Sequence, residues 1–229
     1  MSIKPCVLLQ GPLYPTSVEG IKQMCKNMNN VIISTWEDEN IEYINELKSL
    51  GYEMVINKKP IYFGFQNINL ANISICSGLS KAKDMGYTHA LRFRTDFILN
   101  DVNKFMDICL TLSDNQLVFL TWFNHRTNIH PNGYLMDHVI FGPIDLLYDY
   151  RKPIQLEGDN RCSEIFLQEE YFGKKNLSCD DVKNEVKLCF KQIMDNNIKL
   201  YATKLYNYLG YDKNNDFIDE YYKTGKCVL

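Results

Sequence analysis

The stretch Arg92-Phe93-Arg94-Thr95-Asp96 carries the clearest chemical signal in the sequence, at the end of an alternating apolar run. In an extended strand, the side chains of Arg92 and Arg94 point to the same face. Guanidinium groups bind phosphate oxygens in a bidentate manner, and a carboxylate can anchor a divalent cation. Two arginines beside Asp96 therefore suit a diphosphate held together with a metal ion. A surface ion pair at the end of a strand explains the same pattern.

The elements that position this stretch are predicted from hydrophobic periodicity and from Gly and Pro stops. In the first half, we predict strands at 5–10, 31–36, 52–57 and 89–99, and helices at 16–29, 41–50 and about 67–85. In the second half, we predict strands at 116–122, 135–141 and 199–205, and helices at about 101–112, 144–150, 162–172 and 180–195. This alternation predicts an α/β fold with a mostly parallel sheet flanked by helices. We expect a single domain over residues 1–229, with an unassigned Tyr-rich end.

Ligands of an open parallel sheet bind beyond the carboxyl ends of its strands. The residues predicted there are Gln10, Gly11 and Pro12 after the first strand, and Thr35 and Trp36 at the end of the second. The sequence has no G-x-G-x-x-G after the first strand, no G-x-x-x-x-G-K-[ST] and no G-x-S-x-G. A dinucleotide-binding site of the usual kind, a P-loop and an α/β-hydrolase site are therefore disfavoured.

Composition narrows the class of protein further. The chain has 229 residues, 45% of them hydrophobic, and a formal net charge of −3. This balance argues against a nucleic acid as the main partner, because such domains are usually strongly basic. The sequence shows no transmembrane span and no signal peptide, and its eight cysteines are scattered singly. We therefore expect a cytoplasmic protein with reduced thiols.

Five short motifs occur in a recognisable order. They are Ile33-Ser34-Thr35-Trp36, Asn67-x-Asn69, Gly78-Leu79, Arg92-x-Arg94-Thr95-Asp96 and Asp137-His138-Val139-Ile140-Phe141-Gly142. Over roughly residues 5–175 the chain thereby resembles the WavE-type lipopolysaccharide-synthesis proteins, which look like glycosyltransferases of the GT-A fold. The resemblance implies a GT-A-like, Rossmann-like domain and places the last fifty residues, 176–229, in a C-terminal extension.

The resemblance implies a nucleotide-sugar site. In GT-A enzymes, a D-x-D motif holds Mn or Mg on the donor diphosphate, and Asp96 matches only its second carboxylate. Arg94 stands where the first carboxylate would be, so it neutralises diphosphate charge itself in this interpretation. The loop at Gln10, Gly11 and Pro12 and the strand end at Thr35 and Trp36 match positions that hold the base and ribose. Two roles for Trp36 are left open: a stacking surface for the base, or a residue of the core.

The resemblance also implies a general base for an acceptor hydroxyl. Asp137, just before Phe141-Gly142-Pro143, is the first candidate and Glu164 the second. A turn-capping or acceptor-binding role for Asp137 is the alternative. Strand alternation would place His138 on the face opposite Asp137, which favours a structural role.

Two further groups of polar residues have open interpretations. Asn67 and Asn69 begin a helix, where either capping or a hydrogen bond from Asn69 to the donor is expected. His125, Arg126 and His130 lie in a polar stretch at 123–133, which is either an acceptor-binding loop or a plain surface loop.

Three functions follow from these observations. The first is a hexosyltransferase-like enzyme that moves a sugar from a UDP- or GDP-linked donor to a glycan hydroxyl, as in surface polysaccharide or glycoprotein glycan synthesis. The second is a nucleotidyltransferase, although the loop after the first strand lacks the usual Gly-rich basic signature. The third is a catalytically inactive binding scaffold, which the incomplete D-x-D motif favours. The oligomeric state is left open.

Overall fold

The computed structural model describes residues 2–113, 115–120, 122–123, 134–182, 184–196, 198, 200–202 and 227–228. The strands are β1 (Pro5–Gln10), β2 (Val31–Trp36), β3 (Glu53–Asn57), β4 (His89–Arg94), β5 (Phe97–Leu99), β6 (Leu117–Phe119), β7 (Trp122–Phe123), β8 (Tyr134–Leu135), β9 (Val139–Pro143), β10 (Val186–Leu188), β11 (Leu200–Ala202) and β12 (Cys227–Val228). The helices are α1 (Pro15–Met24), α2 (Ile41–Ser49), α3 (Ile68–Asp84), α4 (Val102–Ser113), α5 (Ile144–Arg151), α6 (Ser163–Phe172), α7 (Cys179–Val182) and α8 (Phe190–Asp195). A short 3₁₀ helix, Phe65–Asn67, precedes α3.

A seven-stranded sheet forms the centre, in the order β10-β6-β9-β4-β1-β2-β3. Strand β9 runs antiparallel to β4 and β6, and the other neighbouring pairs are parallel. Two small antiparallel sheets, β11-β5 and β12-β7-β8, lie outside it. The predicted α/β fold with a mostly parallel sheet is therefore confirmed.

The sheet separates two apolar cores. Alternate residues of β1 enter them: Val7 and Leu9 pack on one face, and Cys6 and Leu8 on the other. The first core is completed by residues of α1, α2 and α4, and the second by residues of α3, α5 and α6. This is the pattern of a strand that is buried on both faces, and it explains why residues 5–10 form a nearly continuous apolar run.

The central strands end at one level, which fixes where a ligand can bind. Gln10 pairs with Ser34 of β2 on one side and with Arg94 of β4 on the other. The polar residues at the ends of β1, β2 and β4 are thereby brought to the same edge of the sheet. None of the helices in the described part of the chain is long and apolar enough to cross a bilayer.

Four element predictions were wrong in detail. The strand predicted at 116–122 is divided into β6 of the central sheet and β7 of a small sheet. The stretch 89–99 is interrupted after Arg94, because Thr95 forms hydrogen bonds with the loop after β1. The N–H of Thr95 donates to the Gln10 carbonyl (3.0 Å), and the hydroxyl of Thr95 donates to the Pro12 carbonyl (2.7 Å). The strand predicted at 135–141 is divided into β8 and β9, which leaves Asp137 outside both.

The helix predicted at 180–195 is split by β10, whose parallel pairing with β6 overrides the helical spacing. Within the predicted strand 199–205, only residues 200–202 are described, as β11.

Candidate functional site

A cleft of about 410 Å³ opens at the carboxyl ends of β1, β2 and β4. Nine of the predicted site residues line it: Gln10, Gly11, Pro12, Trp36, Arg92, Arg94, Asp96, Asp137 and Glu164. The first seven come from the ends of the central strands or the turns that follow them, and the last two lie before β9 and at the start of α6. The cleft therefore brings together residues that are far apart in the sequence.

Two buried arginines donate hydrogen bonds to the same residue, Asp137, at the base of this cleft. Arg92 is 2% exposed; its Nη2 donates to Gln10 Oε1 (2.7 Å) and its Nη1 to the backbone carbonyl of Asp137. Arg151, at the end of α5, is 1% exposed, and its Nη2 donates to Asp137 Oδ2 (2.7 Å) and to the same carbonyl (3.1 Å). We call Arg92 and Arg151 the arginine pair. The side chains of the arginine pair and of Asp137 carry two positive charges and one negative charge.

The electrostatics of the pair follow from burial. Burial, followed by the charge of Arg151, lowers the pKa of Arg92 well below its ordinary value. A guanidinium nevertheless stays charged in proteins, so Arg92 is a desolvated cation. Such a group gains more from an anionic ligand than an exposed arginine does, because less water has to be displaced from it.

Arg151 was not predicted from the sequence, although a signal for it exists. Ile144, Leu147 and Arg151 are spaced three and four residues apart along α5, and all three are buried. An arginine that continues the apolar face of a helix needs an internal partner, and here that partner is Asp137.

Asp137 has the charge environment of an ion-pair partner. Burial raises the pKa of its carboxyl, but the nearby charges of Arg151, His138 and Arg92 outweigh burial and lower the pKa to about 2. A carboxylate with such a low pKa is a weak base. The geometry therefore argues against the predicted role of Asp137 as general base.

Glu164 has the opposite character. Burial raises the pKa of its carboxyl, and the negative charge of Asp137 raises it further. Its Oε2 accepts a hydrogen bond from the hydroxyl of Ser163 (2.7 Å), which also lines the cleft. Of the two predicted carboxylates, Glu164 is therefore the stronger base.

Arg94 and Asp96 bind each other through two parallel hydrogen bonds. Arg94 Nε lies 2.8 Å from Asp96 Oδ1, and Arg94 Nη2 lies 2.6 Å from Asp96 Oδ2. Both carboxylate oxygens are thus engaged by a cation. Within the described ranges, no group of three His, Cys, Asp or Glu side chains is placed to hold a metal ion. The donor set around Asp96 does not fit the predicted Mn or Mg site.

His138 lines the cleft together with Asp137, and the prediction that the two face opposite sides was wrong. Strand alternation does not apply, because β9 begins only at Val139. The His138 ring lies 5.2 Å from that of Phe97, and burial lowers its pKa to about 4. His138 is therefore neutral at pH 7.

The loop after β1 has no backbone N–H to spare for a ligand. Pro12 has none, and three others donate within the protein: Gly11 to the Ser34 carbonyl (3.2 Å), Leu13 to the Glu39 carboxylate (3.0 Å) and Tyr14 to the Ser17 hydroxyl (2.7 Å). Gly11 has a φ of +133°, and a Cβ atom at this position would lie 2.8 Å from the hydroxyl oxygen of Thr95. The loop thus packs closely against the end of β4 and leaves phosphate binding to side chains.

Two predicted binding residues are not on the wall of the cleft. Thr35 is fully buried at the end of β2. Asn69 is 1% exposed. The side-chain NH₂ of Asn69 donates to the backbone carbonyl of Gln155 (2.8 Å), and the side-chain oxygen of Asn69 accepts from the backbone N–H of Gln155 (2.8 Å). Asn69 therefore fastens the segment after α5 to α3. Asn67 does line the cleft, in a left-handed conformation and without a capping hydrogen bond from its side chain.

The predicted loop residues His125, Arg126 and His130 lie outside the described residues.

No family model matches the chain, and no curated protein matches it either. Solved structures do match. A 4-diphosphocytidyl-2C-methyl-D-erythritol synthase from Anaerococcus prevotii is 10% identical, with a TM-score of 0.50 over 81% of this chain and 86% of that one. A cytidylyltransferase from Leptospira borgpetersenii is 15% identical, with a TM-score of 0.48 over 98% and 95%. HddC from Yersinia pseudotuberculosis, complexed with GMP-PN, is 12% identical, with a TM-score of 0.41 over 69% and 84%.

These comparisons do not confirm the WavE-type resemblance. The likeness to the Anaerococcus synthase concerns the fold, since the identity is only 10%. The chain has the GT-A-like, Rossmann-like α/β fold that is also seen in nucleotidyltransferases.

Proposed function

We propose that the chain is a nucleotidyltransferase that joins a nucleotide to a sugar phosphate and so makes a nucleotide sugar. The observation that carries the proposal is the pair of buried arginines at the base of the cleft: Arg151 pairs with the carboxylate of Asp137, and Arg92 donates to the backbone carbonyl of the same residue. This arrangement is short of negative charge, and a phosphate group would supply it.

The chemistry of nucleotidyl transfer suits these side chains. An oxygen of the sugar phosphate attacks the α-phosphorus of a nucleoside triphosphate, the bond from that phosphorus to the bridging oxygen breaks, and pyrophosphate leaves with the electron pair. The attacking oxygen is already ionised at neutral pH, so no side chain has to remove a proton. Positioning and charge stabilisation are what the protein must supply, and Arg92 and Arg151 are fixed by hydrogen bonds before any ligand arrives.

Two aromatic residues in the lining of the cleft offer a surface for a base. Tyr14 is 40% exposed and Trp36 is 4% exposed, and both line the cleft. Aromatic side chains at such an edge provide a flat apolar surface with polar atoms beside it. The Anaerococcus protein that shares the fold synthesises a diphosphocytidyl compound, which supports a nucleotide as the ligand here.

A second candidate is glycosyl transfer from a UDP- or GDP-linked sugar to a glycan. Two observations favour it. The N–H groups of the loop after β1 are engaged within the protein, and Gln10, Gly11 and Pro12 supply no cation for a triphosphate. Glu164, with its raised pKa, is available as a base for an acceptor hydroxyl.

Product analysis separates the two reactions. Nucleoside triphosphates are incubated with sugar 1-phosphates, and pyrophosphate release is measured; we expect release that depends on the sugar phosphate. In parallel, UDP- and GDP-sugars are incubated with glycans. Release of nucleoside diphosphate in this second arm, without pyrophosphate in the first, would replace the proposal by glycosyl transfer. Binding of nucleotides with no product in either arm would leave the chain as an inactive scaffold.

The variant Glu164→Gln tests the role of Glu164 in the proposed reaction. Because a phosphate oxygen needs no base, we expect kcat for nucleotidyl transfer to stay within about 5-fold of wild type, with any loss mainly in KM. The measurement is steady-state pyrophosphate release, with Glu170→Gln, on the exposed side of α6, as the matched control. A fall in kcat of about 100-fold or more would make Glu164 a general base and would favour glycosyl transfer.

A further inference from the structure

Large apolar side chains are concentrated in an exposed loop directly after β3. Ile61 is 107% exposed, and Tyr62, Phe63 and Phe65 are 37%, 42% and 38% exposed. Scattered exposed apolar residues are ordinary on protein surfaces, but four within five positions are not. An exposure above 100% means that Ile61 stands clear of the rest of the described protein.

A second exposed segment extends the same surface. Ile154 is 48% exposed and Leu156 is 75% exposed. Gln155, between them, accepts a hydrogen bond at its Oε1 from the N–H of Phe65 (2.6 Å). The two segments are thus tied side by side. We call Ile61, Tyr62, Phe63, Phe65, Ile154 and Leu156 the apolar rim.

The apolar rim borders the mouth of the cleft. Gln66, Asn67 and Ile68 follow Phe65 directly, and all three line the cleft. Gln66 also reaches the far wall, where its Oε1 accepts a hydrogen bond from the N–H of Ser163 (3.2 Å). A partner surface that contacts the apolar rim therefore also lies against the opening of the cleft.

Lysines precede both segments of the rim. Lys58 and Lys59 lie before Ile61, and Lys152 lies before Ile154. Lys59 pairs with Asp38 (2.5 Å) and Lys152 with Asp149 (2.8 Å), while Glu157 follows the second segment. Lys58 is exposed and enters none of these pairs. A protruding apolar tip with aromatic rings and one exposed lysine, Lys58, at its base matches the layered chemistry of a lipid–water interface, in which acyl chains lie beneath phosphate headgroups.

We propose that the apolar rim docks the protein on the surface of a lipid bilayer that contains anionic headgroups. Ile61 and Phe63 enter the boundary between headgroups and acyl chains, and Lys58 contacts headgroup phosphates. A bilayer is the favoured occupant because it is fluid and accommodates a convex tip, whereas a protein partner would need a matching groove. Docking brings the cleft to substrates carried at the membrane. It does not depend on which reaction the cleft performs.

Sedimentation with vesicles tests the docking. We expect wild type to bind phosphatidylcholine vesicles that contain phosphatidylglycerol, and the double variant Ile61→Ser/Phe63→Ser to bind about 100-fold more weakly. Lys58→Glu should weaken binding about 30-fold on these vesicles and much less on pure phosphatidylcholine. Leu50→Ser is the matched control: Leu50 is 47% exposed but precedes β3, whereas the rim begins after the opposite end of that strand.

A fluorescent reporter tests whether the chain itself or a second copy covers the rim. In the variant Phe63→Trp, we expect the added emission to be that of an exposed indole without vesicles and to shift to the blue when vesicles are added. Emission that is already blue-shifted without vesicles would show that the chain itself or a second copy covers the rim, and the proposal would fall. Wild-type sedimentation that equals the double variant would overturn it as well. Neither readout involves nucleotides, so the result is independent of the proposed function.

Discussion

Replacing Asp137 with asparagine lowers the free energy of unfolding by about 3–5 kcal/mol. The change keeps the shape of the side chain but removes the carboxylate that pairs with Arg151, whose side chain is 1% exposed. The buried guanidinium of Arg151 then loses its carboxylate partner, and the folded state bears the cost. Urea denaturation, extrapolated linearly to water, measures the difference.

The control is Asp145→Asn. Asp145 pairs with Lys83 (2.6 Å), and both side chains are more than half exposed, so the loss should be at most about 1 kcal/mol. If the two variants lose the same stability, the carboxylate of Asp137 does not stabilise the buried Arg151.

The same carboxylate predicts a pH dependence. The pKa of Asp137 is about 2 in the folded protein and 3.8 when unperturbed, so its ionised form favours the folded state. The contribution is fully present above pH 3.8 and is lost as the pH falls towards 2. It amounts to about 2 kcal/mol. Asp137→Asn should therefore have a flatter stability profile than wild type over this pH range.

Replacing Arg92 with methionine weakens nucleotide binding about 100-fold without a loss of stability. The guanidinium is a buried cation on which the charge of Arg151 acts more strongly than that of Asp137, so its removal relieves desolvation and like-charge repulsion. Methionine fills a similar volume. The free energy of unfolding should stay the same or rise, while phosphate loses a charged hydrogen-bond donor.

Isothermal calorimetry with nucleoside triphosphates and urea denaturation check the two parts of this prediction. Arg161→Met is the matched control, because Arg161 pairs with Asp159, Glu169 and Glu170 outside the cleft. Equal affinities of Arg92→Met and wild type would remove Arg92 from the binding site. A large loss of stability would instead make it a structural residue.

Much of the fold could be predicted because the first half of the chain obeys local rules. Strands β1 and β2 were predicted at their observed bounds, and α3 to within one residue at each end. Errors occur where tertiary contacts override local pattern. Residues 186–188 join the edge of the sheet as β10 despite helical spacing, and the hydroxyl of Thr95, bonded to Pro12, divides the predicted strand at 89–99.

For the candidate site, the sequence predicted which residues lie together better than it predicted which charges pair. Residues at strand ends, such as Gln10 and Arg92, could be placed because parallel strands end together. Which charges neutralise each other depends on side-chain partners that spacing does not reveal. Asp96 is paired with Arg94, and Asp137 with an arginine from α5 that the sequence did not single out.

The order of strands in the central sheet divides the chain into two halves that meet at the cleft. Strands β3, β2, β1 and β4 come from residues 5–94, and β9, β6 and β10 from residues 117–188. Arg92 belongs to the first half, and Asp137 and Arg151 belong to the second. A phosphate that touches both arginines therefore ties the halves together, and its binding energy adds to the cost of separating them. A phosphate bound to both arginines would therefore oppose the separate unfolding of either half.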